Sequence, residues 1–245
     1  MDRPPAAALS SAPSAACAHC VLRDLCLTPP SDAPPSWLPD TLVATRLSLR
    51  RGEALFRQGG RFESLYAVRS GFFKTRVSSP DGRDQITGFQ MSGELLGLDG
   101  IGDGVHACDA LALEDSQVCV VPYPTLERLA QQFPDLQTEF HRILSREIVR
   151  HHAVMLLLSN VHADRRLAAF LLNLARRLGN RGYSAASLVL RMTREEIGTY
   201  LGLKLETVSR SFSRLHERGV LDVRQRQVCI IDPSGLQELA GDNGG

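Results

Sequence analysis

Residues 192–221 read MTREEIGTYLGLKLETVSRSFSRLHERGVL, and this run decides the fold of the C-terminal third. Thr193-Arg194-Glu195-Glu196 fits a capping box: the threonine hydroxyl accepts from the fourth residue's N–H, and the glutamate carboxylate accepts from the first. Ile197, Tyr200 and Leu201 give the helix that follows its apolar positions. Gly202-Leu203 makes a short turn, and a second helix from Leu205 carries Val208, Phe212 and Leu215 on one face. Helix, glycine-containing turn and helix form the helix-turn-helix plan. After Gly219, Leu221 to Val223 and Val228 to Ile231, joined by Arg224 to Gln227, complete it as a β-wing whose basic tip can sit on phosphate.

On the second helix, Glu206, Ser209 and Arg210 project together, opposite the apolar stripe. They are a base-reading set in chemical type. Arginine grips guanine O6 and N7, glutamate accepts from cytosine N4, and serine meets either partner. Taken alone, the same residues serve as ordinary exposed helix charges. Charge distribution favours nucleic acid: residues 161–231 hold 13 Lys and Arg against 6 Asp and Glu, so a net charge of +1 over the chain hides a basic C-terminal domain.

Upstream, from about Pro134 to Asn160, His141, Leu144, Ile148, His151, Met155 and Leu158 follow at spacings of 3, 4, 3, 4 and 3. This a/d seam predicts a long helix that packs either on its own domain or in a parallel coiled-coil dimer. Flanking charges at Arg142, Arg146, Glu147 and Arg150 favour the dimer, and two histidines on the seam make it a weak one. Between about Arg46 and Val121, short segments such as Ser64 to Val68, Phe72 to Val77 and Val118 to Val121 alternate with glycines. That punctuation predicts a jelly roll or barrel, with Pro80-Asp81-Gly82 at a hairpin tip.

The chain has 245 residues, 43 % hydrophobic, enough for one large or two modest domains. No window approaches the roughly 18 consecutive apolar residues of a membrane span, and the first sixteen residues lack a secretory apolar run. The expected location is the cytoplasm. There, Cys17, Cys20 and Cys26, three of six cysteines within ten positions, point to metal or redox chemistry rather than structural disulfides. No residues recur at catalytic spacing, so the chain does not read as an enzyme.

The run at 192–221, DRRLAAFLLNLARRLGNRGYS before it, DQITGFQMSGELLGLDGI in the centre and CAHCVLRDLC near the N-terminus together resemble FNR-type (fumarate and nitrate reduction) regulators of the Crp/FNR transcription factor superfamily. The resemblance extends from Cys17 to about Ile231. It implies an α+β fold: an N-terminal cluster-binding segment (1–40), a cyclic-nucleotide-binding-like β jelly roll (41–133), a dimerisation helix (134–160) and a C-terminal winged helix-turn-helix (161–245). In such proteins three cysteines spaced C-x2-C-x5-C and a distant fourth hold a [4Fe–4S] cluster. Cys17, Cys20 and Cys26 match the spacing, and Ser116-Gln117-Val118-Cys119-Val120-Val121-Pro122 supplies the fourth as Cys119, with Cys108 a less well matched competitor. Four thiolates also suit zinc by ligand type, and zinc or a thiol–disulfide switch on the same fold is the alternative. Cys108 and Cys229 otherwise read as small apolar residues in β-structure, and His19 as a solvated bystander.

The resemblance further implies that Leu25 shields the cluster from oxygen. It implies a homodimer on double-stranded DNA at an inverted repeat resembling TTGAT…ATCAA, read by Glu206, Ser209 and Arg210, and contact between RNA polymerase and surface loops such as Ser79 to Asp84. Thr193 and Lys204 join the DNA-binding set, although Lys204 stands where the family has a Ser or Thr helix cap. A lysine cannot accept a backbone N–H there, but its ammonium suits phosphate. His151 stands where FNR has an aspartate. Facing imidazoles, with an ordinary pKa near 6.5, repel only when both are protonated, which predicts a pH-sensitive dimer. Cyclic-nucleotide receptors of the superfamily carry a Gly-Glu pair and an Arg-Ser or Arg-Thr pair. Gly93-Glu94 is present, but Val105-His106-Ala107-Cys108 replaces the phosphate grip, so no cyclic nucleotide is expected.

Overall fold

The computed structural model describes residues 42–79, 81–159 and 162–241, so the expectations for Cys17, Cys20, Leu25 and Cys26 fall outside the described residues. The chain divides into two compact units after Glu147.

Among the described residues, the first unit holds eight antiparallel strands: β1 (Thr45–Leu49), β2 (Ala54–Phe56), β3 (Ser64–Ser70), β4 (Phe72–Ser78), β5 (Asp84–Met91), β6 (Leu95–Leu96), β7 (Asp109–Ala112) and β8 (Ser116–Pro122). They form two four-stranded sheets, ordered β1-β8-β3-β6 and β2-β7-β4-β5. Two such sheets in one jelly roll cover each other's apolar faces. Val68, Phe73, Leu96, Ala110 and Val118 fill the core between them. Because strand side chains alternate, β8 serves two layers. Val118 points into that core. Val121, on the opposite face, joins Leu42 and Leu65 under α1 (Tyr123–Gln132) and the start of α2 (Pro134–Leu158), through Leu126, Leu129, Leu136 and Phe140.

Within the second unit lie α3 (Ala163–Gly179), β9 (Ser187–Val189), α4 (Arg194–Leu201), α5 (Leu205–Glu217), β10 (Leu221–Arg224), β11 (Gln227–Ile230) and α6 (Pro233–Ala240). Leu167, Leu171, Ile197, Leu201, Val208, Leu215, Val228 and Leu236 are all fully buried here. The capping box is formed: Glu196 N–H donates to Thr193 Oγ1 at 3.1 Å and Thr193 N–H to Glu196 Oε2 at 2.7 Å. Lys204 stands at the N-cap of α5 with no side-chain cap bond, as its chemistry requires. Thus the α+β architecture expected from the sequence, a jelly roll, a long helix and a winged helix-turn-helix, is the one observed. Four elements were not anticipated. These are α1, α3, the third wing-sheet strand β9, paired to β11, and α6, which Asp232 caps by accepting from Gly235 N–H at 2.9 Å.

The turn between α4 and α5 depends on two glycines. Gly202 takes φ 63°, a left-handed conformation closing α4. Gly198 lies so near the Leu203 carbonyl that an added Cβ would sit 2.6 Å from its oxygen. That oxygen belongs to backbone already tied to Gly198 by Leu203 N–H, so it has little room to yield. Gly198→Ala is expected to destabilise the second unit by about 1–3 kcal/mol, the usual cost of overpacking, despite alanine's better helix propensity. Thermal unfolding followed by circular dichroism measures it; an unchanged or raised midpoint would remove the close approach as a constraint.

Candidate functional site

Helix α5 sorts its side chains cleanly. Val208, Ser211, Phe212 and Leu215 are buried, while Glu206, Ser209, Arg210 and Lys204 are exposed. The three expected base readers therefore share an open face. Thr193 is exposed as well, with its hydroxyl oxygen engaged by the capping box. At the wing, Arg224, Gln225 and Arg226 are exposed, and Gln225 adopts φ 53°, the only non-glycine residue at positive φ among the described residues.

Two contacts invisible to periodicity anchor this face to the start of α3. Asp164 receives Arg214 Nε from α5 at 2.9 Å in a bidentate pair, and Arg214 also donates to the buried Ser211. Arg166 Nη1 donates to the Leu201 carbonyl at 2.8 Å, satisfying the C-terminal end of α4. The Arg214 hydrogen bond, with Ser211 adding to it against a smaller effect of burial, holds the Asp164 carboxyl below its ordinary range. Both partners lie fifty residues apart in sequence, and no local pattern marks them.

On the jelly roll, Cys119 is half-buried in mid-strand, paired in register with Arg46 of β1 and Ala67 of β3. It shares the face of Val121, one pleat or about 7 Å along the strand. Val121 belongs to the apolar layer of Leu42, Leu136 and Phe140. Cys108 differs. It lies one residue before β7 rather than within a strand, is 7 % exposed, and its Sγ is 3.5 Å from Asp99 Oδ2. Burial, with Asp99 adding to it, pushes its thiol far above the ordinary range. Cys229 sits in β11 near Ser187. Among the described residues no three His, Cys, Asp or Glu side chains gather as a metal-holding group.

The place of a phosphate grip is filled by the protein itself. The His106 ring, 3 % exposed, stacks on Phe56 with centroids 3.7 Å apart and planes 8° from parallel, and Phe62 meets it edge-on. Asp99 Oδ2 lies 3.5 Å from His106 Nδ1 and accepts from Ala107 N–H at 2.7 Å. Burial lowers the His106 pKa against the opposing pull of Asp99. Glu94 accepts from Met91 N–H at 3.1 Å. An entering anion would meet a carboxylate and a ring disfavoured as a cation.

The hairpin of Ser79 to Asp84 is braced at its base: Arg76 bridges Asp84 at 2.8 Å and Asp109 at 2.7 Å, and Asp109 also accepts from Arg57 and Gln58 N–H. Gly82 takes φ 80° at the tip. On α2, the expected seam differs in detail. Leu144 and Leu158 are half-buried, Leu144 against the α1 layer, whereas Ile148 and Met155 are 55 % and 60 % exposed and His151 is open. Val149 and Leu156, off the seam, are at least as exposed, so the unpartnered apolar stripe is broader than the a/d reading. Arg142 and Arg146 both bind the buried Glu139 of their own helix. No described helix is long and apolar enough to cross a membrane.

A jelly roll followed by a long helix and a winged helix-turn-helix with an exposed polar reading face defines a DNA-binding transcription regulator. Comparison with known proteins agrees: the Crp-like helix-turn-helix domain family matches residues 165–239, and the cyclic nucleotide-binding domain family matches residues 46–133. The chain is 44 % identical over 225 residues to the transcriptional activator protein Anr of Pseudomonas protegens, covering 92 % of each chain. To the fumarate and nitrate reduction regulatory protein of Escherichia coli it is 42 % identical over 202 residues, 82 % of this chain and 81 % of that one. Among solved structures, FixK2 from Bradyrhizobium japonicum superposes with a TM-score of 0.75 at 34 % identity, over 81 % of this chain and 98 % of that one. The chain belongs to the Crp/FNR family of transcription regulators, beside FNR- and Anr-type members, and is not an enzyme.

The Asp164–Arg214 pair sets a pH dependence. A carboxyl held low in the folded state adds stability that is fully present above the unfolded pKa near 3.9 and is lost as pH falls through the depressed value. With the arginine half open to solvent, about 1 kcal/mol is at stake. Asp164→Asn is expected to lower stability at neutral pH by that amount and to flatten its loss below about pH 4; chemical denaturation at several pH values measures both, and parallel wild-type and variant curves would discount the pair.

Proposed function

We propose that the chain is an oxygen-responsive, cytoplasmic, homodimeric regulator of anaerobic gene expression that binds an inverted repeat resembling TTGAT…ATCAA while it holds a [4Fe–4S] cluster. The observation that supports this most is the position of Cys119. It stands half-buried in β8, on the same strand face as Val121, which joins Leu42 in the apolar layer under α1. Cys17, Cys20 and Cys26 with Cys119 make a four-thiolate set suited to such a cluster. Ligation needs thiolates, and Cys108, buried with its thiol pushed up beside Asp99, is a poor donor. When bound, the cluster supplies an oxygen-labile iron–sulfur centre, which Leu25 next to Cys26 shields.

The chain's own residues connect that site to DNA. Leu136 and Phe140, in the layer that Val121 joins, begin the helix that continues to Ile148, His151 and Met155. Tethering the N-terminal segment at Cys119 bears on this helix, and pairing along Leu144, Ile148, His151, Met155 and Leu158 with a second copy covers its apolar stripe. A two-fold dimer presents two α5 helices to two half-sites, which is why the target is an inverted repeat. Glu206, Ser209 and Arg210 read bases; Lys204 and Thr193 face the phosphates. The braced Ser79 to Asp84 hairpin is the surface offered to RNA polymerase. Asp99 and the His106–Phe56 stack argue against a cyclic nucleotide as effector.

Anaerobically purified protein is expected to show visible absorption and a Mössbauer signature of iron that change in air. Cys119→Ser should lose the iron and Cys108→Ser retain it. Colourless zinc protein, or a disulfide with no iron, would overturn the cluster in favour of a zinc or thiol–disulfide regulator.

His151→Leu replaces a polar seam residue by one that favours pairing. It is expected to dimerise and bind the inverted repeat in air; a variant that stays monomeric by sedimentation would refute the role of His151.

A further inference from the structure

Arg194 is the second residue of the capping box, yet its guanidinium turns away from solvent. Its Cζ lies 3.3 Å from the centroid of the Phe212 ring, on the buried side of α5, and Phe212 is itself 3 % exposed. Nη2 donates to the Gln225 carbonyl at 3.2 Å, while Nη1 is buried with no hydrogen-bond partner among the described residues. Burial alone pushes the guanidinium pKa down to about 10. A charged group desolvated to this degree, with one of its forks unused, is an unfavourable element on its own.

What it joins explains the arrangement. Gln225 and Arg226 form the two-residue turn of the wing, between the paired Arg224 and Gln227, and Gln225 holds the left-handed φ of 53°. Such turns favour Asn, Asp or Gly, so glutamine there is locally disfavoured and needs an outside hold. The Leu190 N–H holds the Arg226 carbonyl from one side at 2.8 Å, and Arg194 holds the Gln225 carbonyl from the other.

We infer that Arg194 is a positioning residue that locks the wing to the recognition helix. By resting over the Phe212 ring and gripping the wing turn, it fixes where Arg224 and Arg226 stand relative to Glu206, Ser209 and Arg210, so that phosphate and base contacts engage in one register. This rests on the DNA-binding reading of α5 and the wing. It assigns Arg194 a clamp within the protein, in contrast to a phosphate contact of its own. A lysine does not replace it: an ammonium keeps the charge and can donate to a carbonyl, but it has no planar group to lie over Phe212 while reaching the Gln225 carbonyl from the same atoms.

The test uses the full chain, purified without air, binding two duplexes between about 50 and 200 mM salt, one with TTGAT…ATCAA and one scrambled. Arg194→Ala and Arg194→Lys are both expected to weaken binding about tenfold on each duplex and to reduce the salt slope by about 0.9 for every phosphate that the wing no longer neutralises. The double variant Arg224→Ala/Arg226→Ala should do the same, and adding Arg194→Lys to it should cost nothing further. Arg210→Ala is the control that changes the ratio between duplexes with little change in slope. Without DNA, Arg194→Lys should speed amide exchange in the wing at Gln227 while α4 and α5 amides stay protected. Should Arg194→Ala fail to fold, the lysine variant and its exchange pattern decide. Near-normal binding by Arg194→Lys, effects that multiply with those of the wing variants, or an unaltered wing exchange pattern would overturn the clamp. The base-reading assignment is judged separately, by the wild-type ratio between the two duplexes.

Discussion

The approach of the Gly198 backbone to the Leu203 carbonyl fixes the angle at which α5 leaves α4, and the DNA-facing side of the second unit depends on it. With a side chain there, the turn would open and Val208 and Phe212 would no longer seat beside Ile197 and Leu201 in one core. The capping box secures the other end of α4, and Arg166 satisfies its last carbonyls. Each contact restrains a different freedom of the same two helices. Glu206, Ser209 and Arg210 make no part of that core and stay exposed, as the proposed base reading requires.

The jelly roll meets a comparable demand with one strand. On β8, Val118 belongs to the core between the sheets, while Val121 faces the layer under α1 and α2, and Cys119 shares the strand face of Val121. A one-residue slip of this strand would exchange the faces, burying the thiol and expelling Val118. Register with both β1 and β3 prevents that slip. The half-exposure of Cys119 is therefore a product of the same alternation that makes the core. Cys108, eleven residues earlier, falls just ahead of β7 and is enclosed beside Asp99. Equal chemistry has unequal availability because of where the backbone turns.

What was legible in the sequence was local. Thr193 and Glu196 are three residues apart, Gly202 marks its own turn, and the 3.6-residue spacing of Val208, Phe212 and Leu215 states which face of α5 is buried. The anchors were not legible, because Asp164 and Arg214 are fifty residues apart and charged residues at such a distance carry no register. The place of Arg194 was not legible for a related reason: only the folded wing returns over it. Helix α6 lacks a strong periodic signal over its eight residues, and α1 begins directly from β8 with a proline in its first turn. On α2 the heptad pattern located the helix but not its exposed width. Leu144 is drawn into the α1 layer, while Val149 and Leu156, which the pattern leaves out, remain open.

That width bears on how a switch of the proposed kind works. A bound group shifts a two-state equilibrium only by its difference in affinity for the two states, and moving from 1:99 to 99:1 takes about 5.5 kcal/mol. The pairing surface must hence be neither strong nor absent in the unliganded chain. Ile148, Val149, Met155 and Leu156 supply apolar area at two angles around the helix. His151 and His152 interrupt it between the two pairs, and Arg146, which could otherwise reach across, is committed to Glu139 within its own chain. Burying the apolar pairs favours association, while desolvating the intervening imidazoles opposes it. Such opposed contributions along one stripe keep the association marginal, and a marginal association is the only kind that tethering a segment at Cys119 can decide.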